Sequence, residues 1–381
     1  MNVQNKKIAI IGGGPGGLTL ARLLQQGGCN IKVYERDLDK NARVQGGNLD
    51  LHEESGLAAL KKADLLDAFY ANYLPDAGKL RLMDSDGKIY LDDHTETHIA
   101  EHRPEIDRGP LRKILLESLK DNTVVWDSHF VSMHKEKDGW ELLFKNGTQC
   151  YADIVIGADG ANSKIRPYLS DGKAIYSGVT IIEGNIDDAS QNVPYIFKLL
   201  KGGKIFAFGN GQSIILSTKG DGSVAFYTGE VVDENWVRDS NIDFKNLTEV
   251  KQWFNIHFSE WNAVYHELFE TDKVSIVPRP LYHYEASQQW QTQDNFTIIG
   301  DAAHVMPPYA GEGVNMAMLD ALELSEAMLN GKNLKLAFEN FERKMLERAS
   351  AITALTMMNT VQLHKQNGLQ FMLDMFNDFS K

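Results

Sequence analysis

The chain has only two cysteines, Cys29 and Cys150, among 381 residues. That excludes a disulfide framework and a thiolate metal centre, and it suits a reducing, cytoplasmic setting. Long hydrophobic runs are missing as well. No stretch approaches the roughly 18 apolar residues of a membrane span. The first apolar run, "IAII", breaks off at Gly12, too soon for a signal peptide, and reads as a strand. Basic residues are scarce: 39 Lys and Arg face 52 Asp and Glu, for a net charge of −13. Such a surface repels phosphate backbones and anionic bilayers, so neither nucleic acid nor a membrane is expected as a partner. His52, His94, His98 and His102 are scattered without metal-ligand spacing, and no metal is expected. Repeats and low-complexity segments are also lacking.

What remains is glycine placed with purpose. "KKIAII", residues 6–11, is a short apolar run of the kind buried on both faces in a parallel sheet. It runs into "GGGPGG" and then into apolar residues at helical spacing, and "IKVYE", residues 31–35, follows as a second strand. Gly12, Gly14 and Gly17 complete G-x-G-x-x-G, with Pro15 in the first helical turn. Backbone amides and a helix N-terminus at such a turn meet a pyrophosphate. Glu35 closes the second strand, near the separation of about 20 residues at which an acidic side chain takes a ribose hydroxyl. The unit therefore predicts dinucleotide binding.

Further along, "ESGLAALKKADLLDAF" reads as helix, "GKLRLMDSDGKIYLDD" as a hairpin and "GPLRKILLESL" as helix. Residues 123–158 read as a meander. Between 176 and 285 helical periodicity almost vanishes, which predicts a second, antiparallel sheet. A buried strand returns at "NFTII", and 316–329 and roughly 335–378 read as helices. The length exceeds one core. The expectation is an α/β protein with a discontinuous Rossmann-like nucleotide domain (1–75, 104–175 and 286–334). A substrate domain of antiparallel sheet (76–103 and 176–285) and a bridging C-terminal helix (335–381) complete it.

Two more signals accompany the first. "GADGANSKIR", residues 157–166, follows a strand and carries Asp159, with Ser163 and Arg166 expected on a helix face; a capped helix start explains the same pattern. "GDAAHVMPPYAGEGVN", residues 300–315, places Asp301 at a strand end, ready to accept hydrogen bonds from a sugar-like hydroxyl chain. Pro307, Pro308, Gly311 and Gly313 then make a rigid turn that delivers amides and a helix N-terminus to an electron-rich ring edge, as a reduced flavin requires. His304 reads first as a capping or packing histidine and second as a group that tunes proton transfer.

These three stretches in this order resemble the single-component FAD-dependent aromatic hydroxylases. "VYERD", "GGNLDLH", "LKKADLL" and the 300–315 stretch look most like the tetracycline-inactivating flavin monooxygenases. The resemblance implies that Glu35 holds the adenosine ribose, Asp301 the ribityl chain, and the turn from Pro308 through Gly311, Gly313 and Val314 to Asn315 the isoalloxazine. It places Arg108 at the FAD phosphate, Arg36 at a phosphate of FAD or NADPH, and Arg43, Gly47, Asp50 and Asp159 in the same site. With no second glycine-rich unit, NADPH is expected to visit transiently. O2 then forms a flavin C4a-hydroperoxide that hydroxylates the substrate. No side chain is expected to be catalytic in itself; Pro308, Gly311 and Gly313 lie nearest the ring.

The family's tetracycline-holding glutamine, arginine and histidine fall at Glu183, Lys204 and Ala225, so none is retained. "ADG" at 158–160 also departs from that subgroup. The expected substrate is an electron-rich aromatic or polyketide compound, a multi-ring phenol or enol, with tetracyclines accepted poorly and antibiotic resistance left open. Phe206 and Phe226 belong either to the sheet core or to the cavity. Tyr309, Met357 and Met375 are candidates for the pocket edge. A monomer is expected. A flavin dehydrogenase or reductase without oxygen insertion and a non-catalytic flavin-binding protein stand as alternatives.

Overall fold

The computed structural model describes residues 3–41, 46–95 and 103–379. Arg43, His98 and His102 lie outside the described residues. The first apolar run forms the strand Lys7–Ile11, in the centre of a five-stranded parallel sheet. Its neighbours are Ile154–Gly157 on one side and Asn30–Tyr34 on the other, with Phe296–Ile298 and Val124–Val125 at the edges. Ile8, Ala9, Ile10 and Ile11 are at most 2% exposed, which explains why this strand is continuously apolar rather than alternating. Each such isoleucine contributes roughly 1.5–3 kcal/mol by leaving water. Helices Pro15–Gln26 and Gly313–Asn330 pack against each other beside this sheet.

The meander appears as Phe130–Glu136, Gly139–Phe144 and Gln149–Ala152. A second large sheet has seven strands in the order Val274–His283, Ile175–Ile186, Val224–Val231, Gln212–Thr218, Lys204–Gly209, Leu80–Asp84 and Ile89–Asp92. Its pairings are antiparallel except that of Lys204–Gly209 with Leu80–Asp84. A separate two-stranded antiparallel ribbon pairs Leu49–Asp50 with Glu105–Ile106.

Alternation gives the seven-stranded sheet two faces. The outer one carries Ile182, Ile186, Ile205, Ile214, Leu216, Val224 and Phe226, packed on Trp253, Phe254 and Phe269. Those last residues belong to the helix Leu247–His257 and the 3-10 turn after it, which the sequence reading passed over. The signal was there: Val250, Trp253 and Phe254 recur at helical spacing behind an Asn246 cap that accepts from the Thr248 amide at 3.2 Å.

Other expectations needed correction. The stretch read as one helix over 54–69 is two, Gly56–Lys62 and Leu66–Tyr70, separated where Asp64 adopts φ +62°. Residues after Asp159 form turns and only a 3-10 helix, Arg166–Tyr168, so Ser163 and Arg166 share no helix face. Gly160 at φ +82° and Pro167 explain why no α-helix starts there. The C-terminal segment is Leu334–Leu363 followed by a separate helix, Gly368–Phe379.

Candidate cofactor and substrate site

The glycines of the first turn divide their labour. Gly12 has φ +112°, and a β-carbon there would sit 2.2 Å from the Ala158 carbonyl oxygen. At Gly17 it would sit 2.1 Å from the Gly12 oxygen. Both positions are closed to any side chain by backbone atoms. Gly14, by contrast, has nothing within 4 Å of a would-be β-carbon, and it caps the helix that begins at Pro15. The turn is thus tight beneath and open above, directly at a helix N-terminus, which is the space a pyrophosphate needs. Glu35, 2% exposed, accepts from the Gly13 amide at 2.5 Å and from the Asp37 amide at 3.0 Å. It therefore fixes the glycine turn to the end of the second strand. Arg36 beside it is exposed.

Asp301 begins the short helix Asp301–His304, after Gly300 at φ +61°. Its side chain is solvent-exposed but lines a hollow. The protein around it raises the carboxyl above its ordinary range, opposed by the charges of His304 and Arg108. A β-carbon at Gly313 would lie 4.0 Å from Asp301 Oδ1, so that glycine keeps the hollow open toward the helix Gly313–Asn330. Gly311, at φ +70°, turns the chain beside Asp50, and its amide donates to the Pro308 carbonyl at 3.0 Å. The first backbone hydrogen bond of the helix is made by the Met316 amide, which leaves the amides of Gly313, Val314 and Asn315 at its start. Such a hollow, bounded by a carboxylate, a glycine turn and helix-terminal amides, matches the donor and acceptor sets of a ribityl chain and a flavin ring. The residues present fit FAD.

Three cofactor assignments change in kind. Asn315 is fully buried: its Oδ1 accepts from the His52 amide at 2.9 Å and Ser55 Oγ at 3.2 Å, and its Nδ2 donates to the Asp50 carbonyl at 2.9 Å. Val314 packs into the apolar cluster with Leu18, Leu51 and Leu57. Of Asn315 only the backbone is available to a ligand, and the Val314 side chain is partly turned into the core, because a helix that presents its N-terminus must still bury its inner side. Asp159 caps the turn after it, accepting from the Lys164 amide at 2.7 Å, and its buried Oδ1 has no hydrogen-bond partner. Burial raises its pKa, against the hydrogen bonds from Ser163 and the Lys164 and Ile165 amides.

The second fingerprint does its work through Arg166, 2% exposed. Its guanidinium donates to the carbonyls of Ala302 (3.1 Å) and Ala303 (2.8 Å) and stacks on Tyr284 at 3.5 Å, so it pins the loop that carries Asp301. His304 is a packing residue: its Nε2 meets Asp320 Oδ2 at 2.6 Å, and Asp320 also receives the Gly300 amide at 2.9 Å and Arg348 at 2.8 Å. Burial works against ionisation of Asp320, but His304, Arg348 and Gly300 together hold its carboxyl below the usual range.

On the inner face of the seven-stranded sheet the register aligns side chains in rows. One row is Ala225, Ser217, Lys204 and Leu80; the next is Glu183, Tyr227, Ile215, Phe206 and Leu82; a third is Gly229, Ser213 and Phe208. The first is covered: Lys204 ion-pairs with Glu105, and Asn48 Nδ2 donates to the Thr218 carbonyl at 3.0 Å. The third lies under the C-terminal segment, with Phe208 against Leu363 and Met372. The middle row stays partly accessible at Glu183, Tyr227, Ile215 and Phe206. Phe226 is corrected here: it is fully buried on the opposite face, because it is one residue out of phase with Tyr227. Ala225 is 1% exposed. Met357 and Met375 are half-buried, while Leu363, Met372, Phe371 and Phe376 make the apolar contact over Leu80, Leu82 and Phe208.

Polar groups join floor and hollow. Tyr227 OH accepts from the Gly47 amide at 2.7 Å, and Arg108 acts electrostatically on both Tyr227 and Asp301. Glu183 ion-pairs with Arg279. Asp50 takes a hydrogen bond from His52 at 3.1 Å; despite burial, His52, Lys204 and Arg103 hold its carboxyl below the ordinary range. Burial pushes Glu105 up to about 7 even with Lys204 beside it. Tyr227, Arg279 and Glu105 were absent from the sequence reading; only the sheet register brings them to the site.

Residues 5–356 match the family described as FAD binding domain, and the chain belongs to that family. Its relatives include proteins named as monooxygenases and as zeaxanthin epoxidases. It is 27% identical to the monooxygenase penA of Penicillium thymicola, over 96% of each chain. Among solved structures it resembles Klebsiella pneumoniae HpxO complexed with FAD and uric acid, with a TM-score of 0.78, 17% identity, and coverage of 99% and 94% of the two chains. It also resembles tetracycline destructase Tet(55), with a TM-score of 0.74, 18% identity, and coverage of 96% and 90%. Among the described residues no helix is long and apolar enough to cross a membrane, and no cluster of His, Cys, Asp or Glu is arranged to hold a metal.

Proposed function

We propose that this chain is an FAD-dependent monooxygenase that consumes NADPH and places one oxygen atom of O2 on an electron-rich phenolic or enolic multi-ring compound. Bound in the hollow, the flavin supplies hydride acceptance and oxygen activation. The protein's share is positioning and enclosure. The Gly14 amide end and Arg108 receive the phosphates, with Arg36 at their side, Asp301 receives the ribityl hydroxyls, and the amides at Gly313 favour negative charge at the ring edge.

The observation that carries this reading is the open row Glu183, Tyr227, Ile215 and Phe206, which meets the Asp301 hollow at Arg108. Adjacent strands lie about 4.8 Å apart, so the four side chains span roughly 14 Å, the length of a flat compound of several rings. The apolar and aromatic centre suits ring faces, and the carboxylate end suits a hydroxyl or amine donor. The set gripping tetracycline in the resembling enzymes has no counterpart: Glu183 holds Arg279, Lys204 holds Glu105, and Ala225 is buried. Tetracyclines are therefore expected to be poor substrates.

The test is to purify the chain, record its visible spectrum, and follow NADPH oxidation with and without phenolic and polyketide compounds, tetracycline among them. A flavin spectrum with substrate-stimulated oxidation supports the proposal. A chain that cannot be reconstituted with FAD sinks it. Efficient conversion of tetracycline to a product one oxygen heavier would show that the floor's specificity has been misjudged.

A further inference from the structure

The turn Pro307–Gly311 is gripped by a polar junction that ties it to the third row of the sheet and to the end of the long helix. Tyr309 OH and Ser213 Oγ each lie 3.2 Å from His364 Nε2, and Tyr309 and His364 stack edge to face with centroids 5.1 Å apart. His364 Nδ1 lies 2.7 Å from the Thr360 carbonyl, an acceptor only, so Nδ1 carries the proton and Nε2 accepts. The Tyr309 hydroxyl therefore donates to Nε2, and Ser213 supplies a hydrogen bond to the tyrosine. The resulting chain runs from Ser213 through Tyr309 and His364 to Thr360.

Three elements meet at this point: the inner face of the seven-stranded sheet, the glycine-rich turn, and the end of the long helix Leu334–Leu363. Asn359, 2% exposed, adds a second grip by donating to the Tyr309 carbonyl at 3.1 Å. Room for the junction comes from Gly229. A β-carbon there would lie 2.4 Å from Ser213 Oγ, 2.7 Å from His364 Nε2 and 2.8 Å from Tyr309 OH. Ser213 is 1% and His364 6% exposed, and burial lowers the histidine's pKa against the Thr360 hydrogen bond, which keeps the acceptor neutral. A buried polar cluster of this kind specifies one arrangement, because each group left without its partner carries a desolvation cost.

We propose that His364 and Tyr309 form a positioning pair that fixes the Pro307–Gly311 turn against the substrate sheet, so that flavin and substrate are held in register. The proposal rests on the turn framing the flavin, as set out above. Neither residue is asked to exchange protons with the substrate.

The test is hydrogen exchange at the Gly311 amide, which bonds to Pro308 O within the turn. It is measured in flavin-free protein, so its outcome does not depend on the cofactor assignment. Tyr309→Phe and His364→Phe are each expected to speed exchange by about three- to tenfold, the equivalent of one net hydrogen bond. The double variant should exchange no faster than the faster single variant, because both remove the same bond. His364→Gln, which returns an acceptor near Nε2, should restore most of the protection. In FAD-loaded enzyme, the Phe variants should release more hydrogen peroxide per NADPH consumed, and His364→Gln should release less than His364→Phe. Unchanged exchange in both single variants, or multiplied effects in the double variant, would overturn the proposal. Tyr309→Phe deletes a single oxygen atom and keeps the experiment decisive if His364→Phe fails to fold.

Discussion

The parallel-sheet half and the seven-stranded-sheet half of this molecule specify their sites by different means. In the first, the backbone is the recognition surface: Gly12 and Gly17 exclude side chains so that the turn stays tight, and Gly14 leaves the space above it open. In the second, side chains are the surface, and a residue's meaning depends on which strand lies beside it. Tyr227 faces the site and Phe226 the core, although the two are adjacent in sequence. A site made of backbone is written in local sequence; one made of side chains across four strands is written in register.

The division between the two faces is tested most easily with two phenylalanines on opposite sides of the sheet, Phe226 and Phe206. Phe226→Ala should destabilise the protein by about 3–5 kcal/mol, as for any large core aromatic, with little direct effect on substrate KM. Phe206→Ala should raise KM by roughly tenfold and cost less stability than Phe226→Ala, about 1–3 kcal/mol, because its ring is only partly buried against Leu82 and Phe208. Urea unfolding together with steady-state kinetics separates them. Equal stability losses would mean that the sheet faces are not divided as described.

In the other half the contrast lies between two glycines. Gly17→Ala forces a β-carbon onto a backbone oxygen and should cost about 3 kcal/mol in flavin-free protein. Gly14→Ala should cost about 0.5 kcal/mol or less there, yet weaken FAD. Flavin titration and unfolding on both variants give the answer. Asp301→Ala should weaken FAD binding by about 1.5–3 kcal/mol for each charge-assisted hydrogen bond lost. Unaltered affinity would remove Asp301 from the site.

The smallest effect concerns pH. Glu105 has its pKa pushed up from 4.5 to about 7, so the folded state binds more protons than the unfolded chain across that interval. The stability it contributes is complete below about pH 4.5 and is lost as pH rises through about 7. Melting temperatures of the wild type and Glu105→Gln across that window should show the wild type losing stability more steeply. Parallel curves would place the titration elsewhere.

The fold was largely legible because its strongest signals are short-range. The buried run at Lys7–Ile11, the glycine turn and the strand before Asp301 each need only a few neighbouring residues. The reading also failed at Leu247–His257, where a local signal of an Asn246 cap and three apolar residues at helical spacing is short and sits amid strands; its apolar side is covered by the outer face of the sheet. The helix read after Asp159 failed for another reason: Asp159 caps a turn, and Gly160 takes a left-handed conformation in it. At the site, Asp301 and Gly311 carried their geometry in sequence. Asn315 did not, because nothing local shows that its amide is spent on His52, Ser55 and Asp50. Tyr227 and His364 were illegible for the same reason, since their partners lie far along the chain.

The central claim is that the backbone-built hollow holds FAD and that oxygen activated there reaches a substrate lying on the side-chain floor. The direct measurement is NADPH turnover under isotopically labelled O2 with a panel of multi-ring phenols and enols, followed by mass spectrometry of the products. The account predicts at least one compound that accelerates NADPH oxidation and gains a single labelled oxygen atom, with Phe206→Ala raising its KM. FAD-loaded protein that converts all of the labelled oxygen to hydrogen peroxide with every compound would contradict it.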